Sequence, residues 1–122
     1  MPVVRYFIQD LDRSIAFYTQ KLGFEEKERW GPAFAIVTLD GLDLWLSGPN
    51  TSAAQAMPDG RVPEPGGWNR IVVTVPDIQQ VVTRLKSGNA TFRNEVITGP
   101  GGSQVLIEDP DGNPIELFQP RT

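Results

Sequence analysis

The order of apolar and polar residues divides the chain into short elements. VVRYFIQ, residues 3 to 9, predicts a first strand. The period then changes: from about Asp10 to Leu22, the residues Leu11, Ile15, Tyr18 and Leu22 are spaced 4, 3 and 4 apart. That spacing makes one apolar stripe on a helix. Asp10 or Asp12 supplies an N-terminal cap, and Gly23 closes the helix. FEEKER, AFAIVTL and LDLWLSG predict three further strands, the last two joined by a tight turn at Asp40-Gly41.

Residues 49–67, PNTSAAQAMPDGRVPEPGG, read as a long loop, either a solvated linker or a lid over a pocket. The pattern then restarts. WNRIVVTV predicts a strand, and a helix follows from about Asp77 with Ile78, Val81, Val82 and Leu85 as its stripe. Gln80 stands where a capping box would place it, and Gly88 follows the helix. TFRNEVITG, SQVLIED and NPIELFQ predict three more strands. Each half is therefore a strand, a helix and three strands, an internal repeat carried by element order. Asp10 aligns with Asp77 at an offset of 67, and GLDLWLSGP aligns with GNPIELFQP at an offset of 71.

Composition narrows the chemistry. With 122 residues, 39% hydrophobic and 21% charged, the chain has a globular balance. A net charge of −4 without a basic patch argues against nucleic acid as a partner. No apolar run has membrane-span length, and MPVVRYFIQD lacks a signal-peptide layout, so a soluble cytoplasmic protein is expected. There is no Cys and no His. A thiolate nucleophile, a Ser-His-Asp triad, a His base and any Cys- or His-ligated metal site are thereby excluded.

The stretches QDLDRSIAFYTQKLGFE and EDPDGNPIELFQP, at the expected ends of a doubled βαβββ chain, resemble the vicinal oxygen chelate superfamily of glyoxalases, bleomycin-resistance proteins and extradiol dioxygenases. The resemblance covers nearly the whole chain. It implies an α+β fold of two βαβββ modules, residues 1–48 and 68–122, within one domain. Each module would be a cupped mixed sheet with its helix outside, and two modules would share a cleft within one chain or between two. It also implies four cleft positions that hold metal ligands in the family's metal enzymes. Counting back from the aspartate at each helix start gives Val3 and Arg70, and the last strand of each module gives Trp45 and Glu116. Of these only Glu116 is a possible ligand, and one carboxylate beside a guanidinium does not hold a divalent ion. No metal and no cofactor are therefore expected. DPDG begins like a calcium loop but has glycine at the wrong place, and reads instead as a turn.

Strand alternation extends the cleft face to Val3, Arg5 and Phe7, to Asp43, Trp45 and Ser47, to Arg70, Val72 and Thr74, and to Glu116 and Phe118. Trp30 and Trp68 are candidate additional walls, and Arg70 with Glu116 is a candidate ion pair. The expected ligand-binding residues are Val3, Arg5, Phe7, Asp43, Trp45, Arg70, Glu116 and Phe118. An aromatic face with a few charges suits a small planar or amphipathic ligand. The leading reading is a metal-independent binding protein, such as a drug-sequestering one, acting as a homodimer. The alternatives are a glyoxalase-like lyase or dioxygenase, a metal-free enzyme with Glu116 as general base, and an interaction module with a vestigial cleft.

Overall fold

A computed structural model describes residues 1–121. The chain is α+β and divides into two compact units, Met1–Gly66 and a second beginning at Gly67. No helix among the described residues is long and apolar enough to cross a membrane.

The first unit contains β1 (Val4–Phe7), α1 (Leu11–Ala16), β2 (Glu25–Trp30), β3 (Phe34–Leu39) and β4 (Leu42–Ser47), with the sheet order β1-β4-β3-β2. β1 runs parallel to β4, and the other pairs are antiparallel. Asp40 and Gly41 have φ of 50° and 85°, the two left-handed residues of a type I′ hairpin turn. Tyr6, Ala35, Val37, Leu44 and Leu46 are buried on one face of this sheet, where α1 contacts β3 and β4. Shortening Leu44 or Leu46, both 0% exposed, would cost about 2–5 kcal/mol.

The first helix departs from a simple stripe. Asp10 caps it by accepting a bond from the Arg13 N–H, but after Ala16 it widens into a π-helical turn, Phe17–Lys21. The wide turn buries Phe17 as well as Tyr18, while Leu22 is only half-buried. Phe17, Tyr18 and Phe24 then stack edge to face, with centroids 5.2 and 5.4 Å apart. The Phe24 N–H closes the turn on the Tyr18 carbonyl. The aromatic pair at 17 and 18 thus outweighs the regular spacing to Leu22.

The second unit contains β5 (Ile71–Thr74), α2 (Ile78–Ser87), β6 (Thr91–Phe92), β7 (Ile97–Gly99), β8 (Gly102–Glu108) and β9 (Pro114–Pro120). The sheet order is β5-β9-β8-β6, with β7 also pairing β8 and β5 parallel to β9. α2 begins under two caps: Asp77 accepts from the Gln80 N–H, and the Gln119 side chain accepts from the Ile78 N–H. The single strand expected over 91–99 is two short strands. Between them the Asn94 side chain, not a backbone carbonyl, accepts from the Leu106 N–H at 2.9 Å. DPDG is a turn closed from within: Asp109 Oδ1 accepts from the Asp111 and Asn113 N–H groups, and Oδ2 from the Asn113 amide.

Two outcomes follow from this packing. Gly102 has φ of 148°, and a Cβ there would overlap the Gln119 carbonyl oxygen on β9. Gly102→Ala should destabilise the fold by about 2–4 kcal/mol in urea unfolding, whereas Gly101→Ala, with open space around it, should be near neutral. A near-neutral Gly102→Ala would refute the close approach of β8 and β9.

The second outcome concerns a bulge in β2 between Glu26 and Glu28, which turns Lys27 onto Asp43 of β4 at 2.8 Å. The hydrogen bond from Lys27, then Thr38 beside it, hold the Asp43 carboxyl below its ordinary 3.8, and Asp43 in turn raises Lys27. Because the folded carboxyl is the stronger acid, the pair stabilises the fold above the unfolded value. That contribution is lost as pH falls through the lowered value. Asp43→Asn should therefore lower the unfolding midpoint slightly at neutral pH, with the difference vanishing in strong acid. A difference that persists in acid would contradict this account.

Candidate ligand-binding site

The ladder registers of the first unit determine which side chains share the face opposite α1. Arg5 pairs with Trp45, Trp45 with Ile36, and Ile36 with Glu28, giving one row across four strands. The next row brings together Phe7, Ser47, Phe34 and Trp30. A cavity of about 470 Å³ lies here, lined by Arg5, Glu28, Trp30, Phe34, Ile36 and Trp45, with Ala33 and the loop residues Thr51 and Ser52.

Its aromatic wall is organised. The Phe34 ring meets Trp45 edge-on at 5.5 Å and Trp30 at 6.2 Å. The Arg5 guanidinium lies 5.1 Å from the centre of the Trp45 ring and donates to Ser47 Oγ at 3.3 Å. This contact sets the guanidinium over the Trp45 ring at one end of the cavity. Trp30 is 68% exposed and Ile36 8%, so Ile36 forms the floor and Trp30 an outer wall.

The sequence candidates of this unit have different surroundings. Arg5 and Trp45 line the cavity. Phe7 is half-buried on the same face, and Val3 is half-buried just before β1. Asp43 is held by Lys27. Glu28, Phe34, Ile36, Thr51 and Ser52 were not candidates. The Asp40-Gly41 hairpin, taken as a two-residue turn, would have set Ile36 opposite Trp45. The bulge at Lys27 hides the register of Glu28.

In the second unit, Val72 pairs with Glu116 and Thr74 with Phe118, so these side chains share one sheet face. Arg70 donates from Nε and Nη2 to Glu116 Oε1, at 3.1 and 2.8 Å, and from Nη1 to the Trp68 carbonyl at 3.4 Å. Glu116 is 9% exposed, and its Oε2 takes no hydrogen bond from the described residues. That oxygen can accept from a ligand. Trp68 stands over Arg93, whose guanidinium is 4.6 Å from the ring and donates to Glu108, Gly67 and Gly112. A shallow depression of about 490 Å³ lies beside them.

A divalent metal does not fit this donor set. Among the described residues no three His, Cys, Asp or Glu side chains are grouped to hold an ion. Glu116, the one carboxylate among the four positions that the family resemblance implies, already faces a guanidinium.

Similarities to known proteins agree with the architecture. The family model described as Glyoxalase/Bleomycin resistance protein/Dioxygenase superfamily matches residues 1–117. The uncharacterized protein YurT of Bacillus subtilis (strain 168) is 32% identical over 124 residues, spanning 96% of each chain. The structure of a lactoylglutathione lyase from Agrobacterium tumefaciens has a TM-score of 0.75 at 21% identity, covering 98% of this chain and 92% of that one. The structure of TnmS3, an antibiotic binding protein from Streptomyces sp. CB03234, has a TM-score of 0.68 at 24% identity, covering 99% and 97%. At these identities both structures speak to the fold alone. The matched family model and the paired parallel strands of each sheet lead to one assignment: the chain belongs to the glyoxalase/bleomycin resistance protein/dioxygenase superfamily.

Proposed function

We propose that this chain is a metal-independent binding protein for a small planar molecule, and that its activity is sequestration. The observation that carries the reading is the cavity walled by Trp30, Phe34 and Trp45 with Arg5 at its rim. Flat apolar surface with a few fixed polar groups is what a planar ligand needs. The donor set that does not fit a metal supports metal independence. TnmS3, described as an antibiotic binding protein, is an instance of this fold in a binding role.

The competing reading is a metal-free enzyme with Glu116 as general base, and it draws on the open Oε2 of that residue. Under the binding reading a captured ligand is recovered unchanged, and recovery of a converted product would favour the enzyme.

Trp45→Ala should weaken binding of a planar tricyclic probe such as proflavine at least about tenfold, as measured by calorimetry. The fold should survive, because Trp45 is only half-buried and faces away from the core. EDTA should leave wild-type binding unchanged. Equal affinity in Trp45→Ala, or loss of binding on chelation, would refute the proposal.

We also propose a homodimer. In the second unit Trp68, Val72 and Ile97 are all more than half exposed, apolar side chains that a second copy would cover. Light scattering at micromolar protein should give about twice the chain mass of 13.5 kDa, and a species at the chain mass alone would refute it.

A further inference from the structure

The cavity of the first unit is aromatic in the middle and charged at its ends. Arg5 and Glu28 stand at opposite ends of one row, separated by Trp45 and Ile36. Three ladder steps separate their strands by roughly 14 Å. The two charges are not partners. Arg5 donates to Ser47 and lies against the Trp45 ring. The Glu28 carboxylate accepts no hydrogen bond from the described residues, although it borders the cavity.

The basic residues on either side of Glu28 in sequence are engaged elsewhere. Lys27 is bonded to Asp43 at 2.8 Å, and Arg29 donates to Asp12 at 2.5 Å. Lys27 still feels the Glu28 charge, but its ammonium is turned towards β4. Glu28 is therefore a carboxylate without a committed donor, lining a cavity that three aromatic rings also line. Such an arrangement favours a cation that is itself flat, because rings and carboxylate both attract positive charge.

We propose that the occupant of the cavity is a planar aromatic molecule bearing a protonated amine. The amine meets Glu28, the ring system stacks among Trp30, Phe34 and Trp45, and acceptor atoms at the far end meet Arg5. This inference rests on reading the cavity as the ligand site, and it makes Glu28 the residue that sets charge preference.

The test compares two tricyclic probes of similar outline, cationic proflavine and anionic anthracenecarboxylate, by calorimetry at low salt. Wild type should bind proflavine about fivefold to tenfold more tightly. Glu28→Gln should abolish that preference by weakening proflavine alone, and added salt should erode the wild-type preference. Glu28 is exposed on β2, so the variant should fold as wild type does. If both probes bind through Trp45 but the preference is absent, or survives Glu28→Gln, the charge inference is overturned and the pocket reading stands. If neither probe binds, or Trp45→Ala binds both as well as wild type, the pocket reading falls and the charge inference with it.

Discussion

The parallel pairing of the first and last strands in each unit is the constraint from which the other features follow. β1 on β4 sets Arg5 beside Trp45, and β5 on β9 sets Val72 beside Glu116. A parallel pair cannot be closed by a tight turn, so the chain between its strands must cross over. It does so through a helix that covers the apolar face and a run of antiparallel strands that widens the sheet. The opposite face is then left without a helix. Its side chains are where the two units differ in chemistry.

That difference is chemical rather than architectural. Moving from Arg5 to Val72 and from Trp45 to Glu116 exchanges a guanidinium on an indole for an aliphatic side chain beside a carboxylate. The first unit presents rings around a cavity, whereas the second presents Arg70 with Glu116 and Arg93 with Glu108. Partly buried ion pairs of this kind add little net stability, since desolvation offsets most of the attraction. Their geometric effect is clearer. Arg93 ties Gly67, Glu108 and the Gly112 turn together, and it supports Trp68.

Much of this was legible in the sequence. The repeat offset that aligns Asp10 with Asp77 also aligns Arg5 with Val72, and the structure gives those two residues equivalent ladder positions. Asp10 and Asp77 cap their helices as their spacing implied. Asp40-Gly41 and DPDG are turns, because each places residues where the backbone needs them. What stayed hidden depended on irregularities. The π-turn exchanged Leu22 for Phe17, the Asn94 side chain broke one strand in two, and the bulge at Lys27 turned Glu28 into the cavity row. Each is a local exception made by tertiary packing, and none has a period that a sequence pattern could reveal. The wall formed by Phe34 and Ile36 was within reach, since a two-residue hairpin fixes their partners on β4.

The central claim is that the ring-lined face of the first unit receives a planar ligand. It is tested most directly by following the indole N–H signals of Trp30 and Trp45 by NMR during a proflavine titration. Assignment comes from single Trp→Phe variants. The account predicts that both signals shift together and saturate with the dissociation constant found by calorimetry. Saturable proflavine binding that leaves both signals in place would contradict it.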